Sequence, residues 1–183
     1  ELFFGCADGA VKVGYLKTHK AQTLYSGPSG VVSLASEGRA GKLLVSGHLD
    51  GSIMTYNAET QTFKKIYTCG FAPIAMDFGK SIVCAGKGAV LFLDRKGNLT
   101  QRFDEVGNFD RVSVNQAGDT AACVGGSSVC VFSLNSKRGE WERAAALPAE
   151  NFGGCAAALW RPDGARLLAA GIGGSVDAFD LAV

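Results

Sequence analysis

Two histidines, His19 and His48, are the only imidazoles in the chain, and neither stands in a pattern that would activate a nucleophile. His48 belongs to the turn Ser46-Gly47-His48-Leu49-Asp50-Gly51, where a polar residue serves a tight hairpin, and is read as structural. His19 lies in the charged stretch Lys17-Thr18-His19-Lys20 and is read as solvated. The cysteines (Cys6, Cys69, Cys84, Cys123, Cys130 and Cys155) form no C-x-x-C or other zinc-ligand spacing. Several sit in apolar runs such as Thr120-Ala121-Ala122-Cys123-Val124, as small buried thiols of a reducing compartment do. Gly125-Gly126-Ser127-Ser128 and Gly171-Ile172-Gly173-Gly174 lack the Gly-Lys-Ser/Thr opening a helix that a phosphate loop requires. Asp104-Glu105 are sequence neighbours and do not converge across a substrate as a glycosidase pair must. The expectation is a chain without catalytic residues, metal or cofactor.

Composition agrees with that expectation. In 183 residues, 18 Lys+Arg face 17 Asp+Glu for a net charge of +1, so no overall field draws the chain to nucleic acid or membrane. Hydrophobic residues make up 47% against 19% charged, enough apolar material for a packed core. No apolar run approaches the roughly 20 residues of a spanning helix. The chain starts on Glu1 without an initiator Met or a signal-peptide pattern, and it is expected to be an excerpt of a longer polypeptide.

What could position functional side chains is a repeat. Gly5-Cys6-Ala7-Asp8-Gly9-Ala10-Val11 aligns without gaps on Gly47-His48-Leu49-Asp50-Gly51-Ser52-Ile53, an offset of 42 residues. Shorter relatives begin at Gly86, Gly125 and Gly171, at intervals between 39 and 46. Each copy is an apolar strand ending in Gly, a tight turn and a second strand, with Asp-Gly suited to the positive φ angles of a hairpin. Between the hairpins lie an outer strand such as Thr62-Phe63-Lys64-Lys65-Ile66-Tyr67 and an inner one such as Ile74-Ala75-Met76-Asp77-Phe78. Four strands in about 40 residues make one propeller blade. The expected fold is all-β, an incomplete arc of about four to five blades at segments 2–26, 31–68, 73–106, 110–147 and 155–180. A closed ring of seven blades would take roughly 300 residues, so neighbouring blades are expected elsewhere in the parent polypeptide.

Leu159-Trp160-Arg161-Pro162-Asp163-Gly164-Ala165-Arg166-Leu167-Leu168 and Asp8-Gly9-Ala10-Val11-Lys12-Val13 resemble WD40 repeats. The namesake dipeptide is replaced by Gly14-Tyr15, Tyr56-Asn57, Leu93-Asp94, Phe132-Ser133 and Phe179-Asp180. The order of Leu2-Phe3-Phe4-Gly5-Cys6-Ala7-Asp8-Gly9, Tyr25, Val31-Val32-Ser33-Leu34 and Gly173-Gly174-Ser175-Val176-Asp177-Ala178-Phe179-Asp180 is similar to the first propeller of the intraflagellar transport protein 172 family. That resemblance implies WD40 propellers followed by a helical solenoid, in a peripheral subunit of the intraflagellar transport B complex. It implies a non-enzymatic scaffold in the cytoplasm, cilium or flagellum and basal body, with other complex B subunits as partners and no nucleic acid. The competing expectation is a WD40 adaptor outside cilia, in a coat or ubiquitin-ligase assembly.

Sorted by turn, one face of such an arc collects Lys17, Lys20, Arg39, Lys42, Lys80, Arg95, Lys96, Lys137, Arg138, Arg161 and Arg166, against fewer acids. A basic face of this kind suits an acidic protein or an anionic membrane surface. The other face holds Asp8, Asp50, Asp104, Glu105, Asp110 and Glu150. Phe71, Phe109 and Phe152 recur ahead of successive inner strands, where they either contact a partner or wedge between blades as core.

Overall fold

The computed structural model describes residues 1–37, 42–126, 128–148, 154–162 and 164–180, and among them every regular element is a β-strand. The strands are β1 (Leu2–Gly5), β2 (Ala10–Tyr15), β3 (Lys20–Ser26), β4 (Val31–Ser36), β5 (Leu43–His48), β6 (Ser52–Asn57), β7 (Thr62–Thr68), β8 (Ala75–Phe78) and β9 (Ile82–Gly86). They continue as β10 (Ala89–Leu93), β11 (Leu99–Asp104), β12 (Arg111–Val114), β13 (Thr120–Gly125), β14 (Ser128–Asn135), β15 (Glu140–Pro148), β16 (Cys155–Trp160), β17 (Arg166–Gly171) and β18 (Val176–Asp180). Each sheet is an antiparallel meander in chain order: β1 to β3, β4 to β7, β8 to β11, β12 to β15 and β16 to β18.

Local chemistry accounts for the hairpins. At the β1–β2 and β5–β6 turns Gly9 and Gly51 take φ of 90° and 87°, which a side chain would oppose. Asp8 and Asp50 each accept a hydrogen bond at 3.0 Å from the backbone two residues on, Ala10 N–H and Ser52 N–H. These bonds fix the turn and so the register, which pairs Gly5 with Val11 and Gly47 with Ile53.

Burial separates the strands of a sheet by position. Every residue of β9, β10 and β13 is buried, and β5 and β6 are buried at all but one residue each. The fourth strands β7 and β11 are largely exposed. A middle strand that loses its polar alternation is covered on both faces, so these sheets stack rather than float on one core.

The chain divides into two compact units, Glu1–Met76 and Asp77–Val183, with the boundary inside β8. In the first unit Val11 and Tyr25 of one sheet pack on Leu44, Met54 and Tyr56 of the next, flanked by Phe3, Leu24, Val31 and Leu34. In the second, Phe92 of β10 stacks on Trp141 of β15 with ring centroids 4.3 Å apart and meets Phe132 of β14 edge-on at 5.5 Å. The last interface joins Ala122, Val124, Val129 and Val131 to Ala158, Leu167 and Ala169. Small residues there let the sheets approach closely.

Gly51 gives a direct test of the turn account. A Cβ at this position would lie 2.5 Å from the Cys69 carbonyl oxygen, on a backbone already at φ 87°. Gly51→Ala is expected to lower stability by about 2 kcal/mol in urea unfolding. Gly70→Ala, with nothing within 4 Å of the added carbon, should be close to neutral in the same measurement.

Candidate functional site

The pair with the separation of a nucleophile and its base is Ser46 and His48, on the same face of β5 because strand side chains repeat every second residue. Ser46 Oγ lies 2.8 Å from His48 Nε2 and 2.7 Å from the Tyr25 hydroxyl, while His48 Nδ1 lies 2.7 Å from the Ser29 carbonyl oxygen. A carbonyl can only accept, so Nδ1 carries the proton and Nε2 accepts from Ser46, whose oxygen is left to accept from Tyr25. The donors therefore run one way, from Tyr25 through Ser46 to His48, and His48 donates onward to the loop after β3. Burial pushes the Tyr25 phenol up to about 12, with the Ser46 hydrogen bond acting in the other direction.

Ser46 and His48 have no exposed surface at all, so no substrate reaches this pair. The third group is a backbone carbonyl, which cannot stabilise an imidazolium as a buried carboxylate does. The network instead ties β5 to β3 and to the loop that follows it. The expected structural role of His48 is what the geometry shows; Ser46 and Tyr25 were not singled out from sequence, although the two-residue spacing of Ser46 and His48 was there to be read.

Similar polar ties occur in the second unit. Asp77 Oδ2 accepts from Val114 N–H at 2.7 Å, joining β8 to β12. Trp141 donates its indole N–H to Ser81 Oγ at 3.2 Å, and Trp160 donates to the Ser113 carbonyl at 2.8 Å. Among the described residues no buried side-chain nitrogen or oxygen lacks a partner. Desolvation raises the Asp77 carboxyl above its ordinary value, outweighing the two backbone hydrogen bonds that lower it.

Of the expected basic face, Arg39 lies outside the described residues. Lys17 and Lys20 stand at the β2–β3 turn, Lys42 before β5, Lys80 between β8 and β9, and Arg95 with Lys96 between β10 and β11. Lys137 and Arg138 stand between β14 and β15, Arg161 after β16, and Arg166 opens β17. All ten are exposed, and those of the ten that share a sheet stand at the same end of it, whereas Lys87, also exposed, stands at the opposite end of the β8–β11 sheet. Acids share those ends. Lys42 pairs with Glu59 at 2.7 Å, Lys80 with Asp119 at 3.3 Å, Arg138 with Glu142 at 3.8 Å, and Arg166 with Asp180. Arg95 sits over the Phe78 ring at 5.7 Å. Asp94 stands in the same turn as Arg95 and Lys96, its carboxyl held below the usual range by Asn98. The positive excess is smaller than turn-by-turn sorting implies, because Glu142 and Asp180 lie on strands and were not counted.

At two of the replaced dipeptides the second residue closes the following turn through its side-chain oxygen. Asn57 Oδ1 accepts from Glu59 N–H at 2.9 Å and Asp94 Oδ1 from Lys96 N–H at 2.8 Å. In the β14–β15 turn the same bond is made by Asn135, which accepts from Lys137 N–H at 3.1 Å, and not by Ser133. β14 runs on to Asn135, two residues past Ser133, before this turn begins.

Phe109 is completely buried and offers no contact area to a partner; its loop closes over it, with Gly125 against Asn108 and Phe109 backbone. Phe71 is half-buried, and Phe152 lies outside the described residues. The six cysteines are thiols outside any disulfide, five of them buried, and burial pushes the Cys123 thiol far up. Among the described residues no group of three His, Cys, Asp or Glu could hold a metal ion, and no helix is long and apolar enough to cross a membrane.

No protein-family model matches the chain. It is 35% identical over its whole length to intraflagellar transport protein 172 of Chlamydomonas reinhardtii. The human homologue is 32% identical and intraflagellar transport protein osm-1 of Caenorhabditis elegans 28% identical, each over 98% of this chain. The chain spans 11% of the length of each of these relatives. Among solved structures, a chain of the crystal structure of the mitotic checkpoint complex superposes with a TM-score of 0.78 at 16% identity, over 98% of this chain and 58% of that one. That chain is a WD40 propeller, and the fold class here is the same: an incomplete WD40-type β-propeller.

Ser46→Ala would leave the Tyr25 hydroxyl and His48 Nε2 unpartnered in a dry site, an expected loss of about 2–4 kcal/mol in urea unfolding. Tyr25→Phe, which leaves the Ser46–His48 bond intact, should cost about 1 kcal/mol. Asp77 carries a pH dependence. Its folded value lies above 3.8, so the folded chain holds this proton more tightly, and the resulting stability, full below 3.8, is lost as pH rises through the folded value. Asp50, Asp94, Asp104 and Asp119, all held below their ordinary range, add the opposite slope, so the test is a difference: the stability advantage of the unchanged chain over Asp77→Asn should fall as pH rises from below 3.8 to neutrality.

Proposed function

We infer the function of this chain from its homology, along its whole length, to intraflagellar transport protein 172 of several species. We propose that it is a non-enzymatic protein–protein interaction scaffold, part of a peripheral subunit of the intraflagellar transport B complex that acts in cilium assembly and ciliary cargo transport. In this reading the segments 2–26, 31–68, 73–106, 110–147 and 155–180 are blades, completed by further blades and a helical solenoid of the parent polypeptide. The protein works in the cytoplasm, the cilium or flagellum and the basal body, and its partners are other complex B subunits.

The observation that carries the reading is the uniform match: relatives from alga to human align over 98–100% of the chain at 27–35% identity. The sealed Ser46–His48 pair supports the non-catalytic part of it. Rigid stacked sheets with turns that differ from one another supply distinct contact surfaces at fixed spacing. The exposed cations at the turn ends, Lys96 and Lys137 among them, are the contact for an acidic protein or an anionic membrane surface.

Affinity capture with the parent polypeptide from ciliated-cell lysate, read by mass spectrometry, should enrich intraflagellar transport subunits. Recovery of coat or ubiquitin-ligase components in their place would assign the chain to an adaptor outside cilia. Reversing Lys96, Lys137 and Arg138 together to Glu should weaken the captured interaction and flatten its dependence on salt. Unchanged capture would remove these cations from the contact.

A further inference from the structure

In the first unit, the sheet ends opposite the cations are built from four loops: 6–9, 27–30, 48–51 and 69–74. Backbone hydrogen bonds stitch them in succession. Gly27 N–H donates to Gly9 O at 2.9 Å, Val31 N–H to Cys6 O at 3.0 Å, Leu49 N–H to Gly30 O at 2.8 Å and Cys69 N–H to Gly51 O at 2.8 Å. Asp50 N–H adds a bond to Ser29 Oγ at 3.0 Å, and the His48 ring holds Ser29 from below. The contacts are close enough that a Cβ on Gly9 or Gly30 would strike a neighbouring loop's carbonyl oxygen at 2.8 Å. The result is one continuous platform with little freedom to lose on binding.

The platform has its own chemistry. Leu49 is 64% exposed and Ile74 43% exposed, with Phe71 half-buried between them in sequence and Pro28 and Ala7 exposed. The four loops contain no Lys or Arg; their charges are Asp8 and Asp50, both exposed. Desolvation raises the Asp50 carboxyl, but hydrogen bonds from Ser52 and Ser29 outweigh it and hold the group below its ordinary range. Both carboxylates are fixed by their own turns, so they stand as set negative charges beside apolar surface. Such a surface repels anionic lipid and nucleic acid alike.

We propose that this platform docks a protein segment that presents an aliphatic or aromatic anchor beside Lys or Arg, the anchor lying on Leu49 and Ile74 and the cations meeting Asp8 and Asp50. Exposed apolar side chains on a rigid support whose only charges are two fixed carboxylates suit an anchor with a cationic flank. This rests on the scaffold reading and assigns one partner chemistry to one edge, distinct from the cationic ends.

A random peptide display library panned on the intact parent polypeptide tests it. The variant for comparison is Asp8→Asn, Asp50→Asn and Leu49→Ser together, since Asn keeps the oxygen that accepts from Ala10 and Ser52 and the turns survive. Recovered sequences should combine Lys or Arg with Leu, Ile or Phe, bind less well as salt rises, and lose affinity about tenfold or more on the variant. Lys96→Glu, on the cationic ends, should leave them unaffected. Recovery of acidic or uncharged sequences, equal binding to the variant, or no recovery would overturn the proposal. Continued capture of intraflagellar transport subunits alongside such a failure would leave the scaffold reading standing.

Discussion

No sheet in this chain can shield its own middle strands. Ile82-Val83-Cys84-Ala85-Gly86 and Ala89-Val90-Leu91-Phe92-Leu93 are apolar on both faces, and both strands are buried throughout. A lone four-stranded sheet would leave one of those faces in water at roughly 25 cal/mol per Å² of apolar area. Stacking removes that cost, and the interfaces it creates are of two kinds: aromatic where Phe92 meets Trp141, and close-packed small residues where Ala122 and Val124 meet Ala158 and Ala169. Polar side chains then fix the stack. Tyr25, Ser46 and His48 do so in the first unit, and Asp77 with Val114 in the second, each with its hydrogen bonds complete.

This constraint governs what the chain can do. The groups with reactive potential, Ser46 with His48 and five of the thiols, are buried, and Ser46 and His48 hold β5 to β3 and the loop after it. What remains in contact with solvent is the turns and outer strands such as β7 and β11. These turns are rigid because Asp8, Asp50, Asn57, Asp94 and Asn135 each close their own loop through a side-chain oxygen. A molecule built in this way offers shape and charge at fixed positions, in keeping with the scaffold reading proposed above.

The hairpins were legible in the sequence because their determinants are local. Asp50-Gly51 states its turn in two residues, and Gly51 adopts the positive φ that the pair implies. Ala144-Ala145-Ala146-Leu147 has helical propensity, yet it runs as the β15 strand because pairing with β14 outweighs a short local preference. Less was legible wherever partners are distant along the chain. Tyr25 reaches Ser46 across 21 positions and Trp141 reaches Ser81 across 60, and no spacing announces either. The charge balance at the turn ends likewise depends on contacts that turn-by-turn sorting does not include: Glu142 and Asp180 sit on strands in the sequence and beside Arg138 and Arg166 in space. Of the two expectations for Phe109, contact with a partner or a place in the core, burial supports the core.

Native-state hydrogen exchange measures the shielding of the middle strands most directly. Amides of β5, β6, β9, β10 and β13 should exchange slowest, with those of β7 and β11 opening earlier at lower free energy. Equal protection of β7 and β11, or fast exchange in β9, β10 and β13, would contradict the stacked arrangement on which the whole account rests.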